Sequence, residues 1–216
     1  MTDITAPTTL PPRMRGVLHA ATAPLCLAGG IVLVALAPSA TSRAAVAVYA
    51  ATAVALFAVS AVYHLRRSAP SRFRVLQRLD HANIYLIIAG TYTPFAVLAL
   101  QGATRAAILA GVWAGAALGV ALHLAWLRPP VWLTTSLYIA LGWIAAFVIP
   151  ELLRGAGVAA VVLGIVGGGL YTVGALVYAT RRPNPFPAAF GFHEVFHALT
   201  IAAFATQYAA ISLLVY

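Results

Sequence analysis

Seven apolar runs follow one another with only short breaks between them, at residues 17–37, 44–64, 79–99, 105–127, 131–149, 156–179 and about 193–215. Each is close to the ~20 residues that a helix rising ~1.5 Å per residue needs to cross a ~30 Å hydrocarbon core. With 62% hydrophobic and 8% charged residues and a mean hydropathy of +0.94, the chain is unlike an ordinary soluble domain. The expected fold is an all-α integral membrane protein with seven transmembrane helices, one domain over residues 17–216. The Thr- and Pro-rich start predicts a disordered cytoplasmic tail over residues 1–16.

The formal charge of +9 raises the question of nucleic acid, and its distribution answers it. The 13 basic residues are all Arg. Seven spans put Arg13, Arg15, Arg66, Arg67, Arg72, Arg74, Arg78, Arg128, Arg181 and Arg182 on the side of the N-terminus. Only Arg43, Arg105 and Arg154 fall on the other side. The positive-inside rule therefore predicts a cytoplasmic N-terminus and an outside C-terminus. The excess charge is read as topological, with affinity for anionic lipid, and nucleic acid is not an expected partner.

Arg13 and Arg15 ahead of the run from Leu25 to Ala37 imitate a signal peptide, but the run is read as the first span. The single Cys26, inside that span, excludes an internal disulfide and a Cys-based metal site. Gly111, Gly115 and Gly119 on the fourth helix form a small-xxx-small stripe, read as close helix packing. Pro94 is expected to kink the third helix. Residues 181–187, Arg-Arg-Pro-Asn-Pro-Phe-Pro, read as a loop that delivers the chain to the last helix.

Ionisable residues near or within spans carry the functional information, because they are costly in lipid. The acidic residues are Asp3, Asp80, Glu151 and Glu194, and two of them adjoin histidines. The second helix ends in Ser60-Ala61-Val62-Tyr63-His64, the third starts with Asp80-His81, and the seventh starts with His193-Glu194-Val195-Phe196-His197. Topology brings these three helix ends to one level of the membrane. At i and i+4, His193 and His197 lie ~6 Å apart along the helix and ~40° around it, so they can share an ion. Ser60 stands one turn from His64 by the same arithmetic. Three imidazoles, His64, His193 and His197, leave the fourth position of a tetrahedral Zn²⁺ open for water. Asp80 is placed to accept a hydrogen bond from that water and to orient or deprotonate it.

His19, His81 and His123 are read as interfacial or helix-end residues. His81 is ~100° around its helix from Asp80, which sets it apart from the same site. Residues 193–197 also spell His-Glu-x-x-His, the zincin pattern. A zincin takes its third ligand from downstream, and the residues from Ala198 to Tyr216 include no His, Asp, Glu or Cys. The third ligand is therefore expected from upstream. Glu194, ~100° from His193, is expected to face polar neighbours or the cytoplasm instead of the metal.

Three blocks resemble the hemolysin III family, the bacterial branch of the progestin and adiponectin receptor (PAQR) superfamily. They are Ser60 to His64, the run RLDHANIYLIIAGTYTPF from Arg78 to Phe95, and FHEVFH from Phe192 to His197. The resemblance extends over the whole chain in helix count, orientation and motif order. It implies a zinc site near the cytoplasmic face with His64, His193 and His197 as ligands, Asp80 holding the zinc water and Ser60 as a supporting hydroxyl. Many members carry an acidic residue and an Asn before the first-helix histidine. Here Pro12-Arg13-Met14-Arg15-Gly16-Val17-Leu18 precedes His19, so that motif is only partly present and His19 is left as a candidate for outer support.

The leading expectation is a zinc-dependent hydrolase of lipid amide or ester bonds, resembling the alkaline ceramidases, with catalytic Asp80 and Ser60. Two alternatives stay open: a pore-forming hemolysin, and a membrane-state sensor or lipid receptor with structural zinc. Membrane lipid is the expected partner, and association with a second copy of the chain is left open. Abundant Ala and Arg with no Lys suggest a GC-rich bacterial genome, and the location expected is the bacterial inner membrane, crossed several times.

Overall fold

The computed structural model describes residues 12–65, 69–126 and 129–216. Among them the chain forms α1 (Val17–Leu36), α2 (Ala40–Leu65), α3 (Pro70–Ala99), α4 (Gly102–Ala125), α5 (Val131–Gly142), α6 (Ile149–Thr180) and α7 (Phe192–Val215), with a short 3-10 segment, Ile144–Val148, between α5 and α6. No strand accompanies them, only an isolated bridge between Phe186 and Phe190. Helices are what lipid demands, because an apolar solvent offers no partner to a free backbone N–H or C=O. Six stretches among the described residues are long and apolar enough to cross a membrane, with residues 131–180 counted as one of them.

Two boundaries differ from expectation for physical reasons. The third helix starts at Pro70, about nine residues ahead of the expected apolar run, because Pro suits the first helical position. Its first turns carry Arg72, Arg74 and Arg78, which are polar in sequence yet helical in structure. The expected break between the fifth and sixth spans, near residues 150–155, is helical. The chain turns instead through the 3-10 segment before Pro150 and at Gly157, whose φ of 79° and ψ of 163° leave the helical region. Helix α3 continues through Pro94 to Ala99.

Helix α3 stands at the centre, packed on α2 and α4 along its length and also touching α5, α6 and α7, while α6 lies against α7 and α1 against α2. The apolar core divides across it. Cys26, Leu33, Val46, Phe57, Ile87 and Ile211 fill the side facing α1, α2 and α7. Tyr85, Leu100, Val112, Leu141 and Val161 fill the side facing α4, α5 and α6. Outward-facing side chains are also apolar, with Leu25, Ile31, Leu118, Trp132 and Phe147 largely exposed. A surface of that kind suits lipid, since water would disfavour contiguous apolar area.

The expected disordered tail falls mostly outside the described residues, as do Arg66, Arg67 and Arg128. Residues 12–16 are described and form a turn beside the 188–190 loop, where Arg13 N–H donates to the Ala188 carbonyl at 3.2 Å and Met14 N–H to that of Ala189 at 3.1 Å.

The glycine stripe of α4 is used unevenly. A Cβ at Gly119 would collide with the ring of Tyr85, and one at Gly115 would come within 2.6 Å of Leu141, whereas Gly111 faces open space. Gly119→Ala is predicted to lower stability by about 1–3 kcal/mol, the usual cost of overpacking a rigid ring. Gly111→Ala should leave stability within about 0.5 kcal/mol of wild type. Unfolding in mixed detergent micelles compares the two.

Candidate metal centre

The last turn of α2, the second and third turns of α3 and the first turns of α7 meet at one level of the bundle. His64 comes from α2, Asp80 from α3, and His193 and His197 from α7. Nε2 of His64 lies 3.2 Å from Nε2 of His193. One ligand nitrogen from each of His64, His193 and His197 falls within 4.8 Å of the other two, so this trio could hold a metal ion. The Asp80 carboxylate approaches Nε2 of His64 at 3.9 Å. Buried Ser60, one turn before His64, lines the same cavity as Asp80. The structure thus brings together all five residues singled out from the sequence.

The donor set fits a metal such as zinc. Imidazole nitrogens bind Zn²⁺ at ~2.0–2.1 Å, so two ligands at a tetrahedral angle stand a little over ~3 Å apart. The His64–His193 separation is of that size. His197 is 2% exposed, and its Nδ1 has no hydrogen-bond partner. A buried imidazole with an unmet nitrogen is costly unless something pairs with it.

His19 belongs to this neighbourhood, although its sequence gave it only an outer role. Its ring stacks on His197 with centroids 3.7 Å apart and 13° between planes. On another side it meets the edge of Phe57 at 5.0 Å. His19 is buried, and both of its ring nitrogens lack hydrogen-bond partners. The stack limits how far the His197 ring can rotate.

Glu194 faces away from the histidines. It is 0% exposed, its Oε1 accepts from Arg15 Nε, and its Oε2 accepts from the N–H of Gly191 at 2.8 Å. The second contact is one half of a capping box at the start of α7. The glutamate of the zincin pattern is therefore a structural anchor here. It ties the residues before α1 to α7, and Gly16 follows in the left-handed region at φ 80°, where a Cβ would stand 2.7 Å from that of His64. Gly16 is therefore packed directly against His64.

His81 and His123 lie apart from the trio. Nδ1 of His81 is 2.8 Å from the Gln77 carbonyl, and Nδ1 of His123 is 3.2 Å from that of Gly119. A carbonyl only accepts, so both nitrogens carry the proton. That leaves Nε2 of His81 to accept from the Tyr178 hydroxyl, 3.4 Å away. Despite their angular separation on α3, Asp80 and His81 line the same cavity, which is broad enough to reach both. This space of about 130 Å³ runs from Ser60 and the histidines into the bundle between α3, α5, α6 and α7, past Ile88, Tyr138 and Trp143 to Gln207. Sequence reading missed Gln207 and the Arg15–Glu194 pair. An amide within an apolar span was the available signal for Gln207, whereas nothing local marks Arg15 and Glu194 as partners.

The model of the haemolysin-III related family matches residues 8–208. The chain belongs to that family. It is 31% identical over 173 residues to Hemolysin-3 of Bacillus cereus, covering 79% of this chain and 74% of that one. It is also 30% identical over 134 residues to a Hemolysin-3 homolog of Bacillus subtilis (strain 168), covering 62% of this chain and 60% of that protein. The match thus spans under two thirds of the B. subtilis relative. With its apolar helices, this family member is a multi-pass membrane protein.

Glu194→Gln is predicted to weaken the tie between Arg15 and α7. The loss should be on the order of 1–3 kcal/mol, since Arg15 keeps access to water while the acceptor is fully buried. A lowered melting temperature is the expected outcome, measured by thermal unfolding.

Proposed function

We propose that the protein is a zinc-dependent hydrolase of lipid amide or ester bonds in the bacterial inner membrane. The observation that carries this reading is the three-histidine cluster placed beside Asp80 and Ser60 at the mouth of an apolar cavity. His64, His193 and His197 are the ligands. An ion held by them supplies Lewis acidity, polarising a carbonyl and bringing the pKa of water toward ~7.

The chain's own groups do the rest. Asp80, beside the histidines, orients the attacking water and takes its proton on a carboxylate oxygen, then returns it to the departing amine or alcohol. Ser60, on the cavity wall beside Asp80, turns its one hydroxyl proton to the negative charge that develops on the carbonyl oxygen and steadies it. His19 holds the His197 ring by stacking. The cavity walls, rich in Ile and aromatic residues, take the acyl chain and keep bulk water away. Water thus adds OH to the acyl carbon and a proton to the leaving group, giving a fatty acid and an amine or alcohol. Lateral entry from the bilayer suits a substrate that never leaves lipid.

Topology is part of the same proposal. The 50-residue stretch over 131–180 would be ~75 Å long as one straight helix, more than twice a hydrocarbon core. The bends at the 3-10 segment and Gly157 support its division into two crossings, making seven. Arg13, Arg15, Arg72, Arg74, Arg78, Arg181 and Arg182 then share one face with the histidines, which supports a cytoplasmic N-terminus and site. The names of the two Bacillus relatives evoke lysis of cells, but an apolar cavity closed around histidines supports hydrolysis better than conduction.

Zinc-loaded protein in nanodiscs is expected to turn over at least one of a ceramide, an N-acyl amine or a phospholipid. Asp80→Asn should keep the metal and lose about 10²–10⁴ in rate. Fatty-acid release followed by mass spectrometry tests both. A loaded wild type that hydrolyses none of the three classes contradicts the proposal.

A further inference from the structure

Gln207 is an amide well inside α7, ten residues beyond His197 and 7% exposed. Its Nε2 donates to the carbonyl of Gly164 on α6 at 3.0 Å. That carbonyl can only accept, which fixes the amide the right way round. The side chain lies across α6 where Gly167 leaves room for it, since a Cβ there would come within 2.7 Å of Nε2. The position is thus locked, and Oε1 is left buried without a hydrogen-bond partner. Joining α6 to α7 accounts for the Nε2 contact, but it gives the oxygen nothing.

The surroundings define what that oxygen can take. Gln207 lines the cavity that begins at the histidines and also the one that continues toward Leu100 and Leu152. Near it, the hydroxyls of Thr91 and Thr172 donate backwards to the carbonyls of Ile87 and Gly168, both at 2.8 Å. The Tyr92 hydroxyl donates to the Gly142 carbonyl at 2.7 Å, and the Trp143 N–H goes to Thr172 at 2.9 Å. Each of these donors is already engaged. With those four donors engaged, Gln207 Oε1 stands beside them as an unmet acceptor. An anionic or carbonyl group would be repelled there, while a hydroxyl or N–H would be bound.

Ten helical residues separate the histidines from Gln207 by about 15 Å along α7. A hydrocarbon chain advances by somewhat less than its ~1.5 Å bond length per carbon, so the gap corresponds to roughly a dozen carbons. Resting on the reading of this cavity as an acyl-chain site, we propose that Gln207 recognises a hydroxyl carried about a dozen carbons from the carbonyl held at the histidines. The protein then selects mid-chain hydroxyacyl lipids over unsubstituted ones.

The test is binding to the full chain in nanodiscs, with 12-hydroxyoctadecanoic acid and octadecanoic acid as probes. 12-oxooctadecanoic acid, which places an acceptor at the same carbon, serves as a control. Wild type is expected to bind the hydroxy acid about fivefold to tenfold more tightly than the other two, the worth of one buried hydrogen bond. Gln207→Leu should bring the hydroxy and plain acids to parity without weakening the plain one. Gly167→Ala, which displaces the amide while leaving it present, should also reduce the preference, and it serves if Gln207→Leu does not fold. Equal binding of hydroxy and plain acids by wild type, or a preference that survives in Gln207→Leu, overturns the role of Gln207 alone. Failure of wild type to bind any of the acids overturns it together with the acyl-chain reading. Because the readout is binding, loss of the hydrolase reading through absent turnover would be seen separately.

Discussion

Nε2 of His64 and Nε2 of His193 stand 3.2 Å apart although their residues are 129 apart in sequence, and two imidazole lone pairs cannot face each other at that distance without something between them. Either a proton or a cation must be shared. In the cytoplasmic or lipid phase such groups would separate, so the bundle has to hold them. It does so by ending α2, crossing α3 and starting α7 at one depth, with His19 stacked behind His197. The placement of α1 follows from the same need, because Glu194 fastens Arg15 and thereby sets Gly16 over His64.

Polar groups elsewhere in the spans are few, and most are turned to the backbone. Thr22, Thr91, Thr93, Thr172 and Thr200 each donate to the carbonyl four residues back, which hides a hydroxyl at little penalty in lipid. Against that background an unmet nitrogen or oxygen is informative. The described residues with such atoms include His19 and His197 at one end of the cavity and Gln207 at the other. The cavity between them is walled by Ile and aromatic side chains with Thr hydroxyls among them.

Much of this was legible in the sequence because it depends on helix arithmetic. The i and i+4 spacing of His193 and His197, and the one-turn spacing of Ser60 and His64, survive any detail of packing. Their convergence followed from counting spans. Helix boundaries were less legible. The first turns of α3 are too polar to read as part of a span, and residues 150–155, where the gap between two apolar runs predicts a break, are the helical start of α6. Least legible were contacts fixed only by the third dimension. Arg15 and Glu194 are 179 residues apart, and neither position carries a pattern that names the other. The stack of His19 on His197 is another contact that only the packing of α1 against α7 brings about.

Metal content of detergent-purified protein tests the central claim most directly, with wild type measured beside His64→Ala and His197→Ala by mass spectrometry. The account predicts about one zinc per chain in wild type, lost from both variants because each removes one of three ligands drawn from two helices. Zinc absent from wild type, or bound as well without His64 as with it, would contradict the three-histidine centre and the hydrolase built on it.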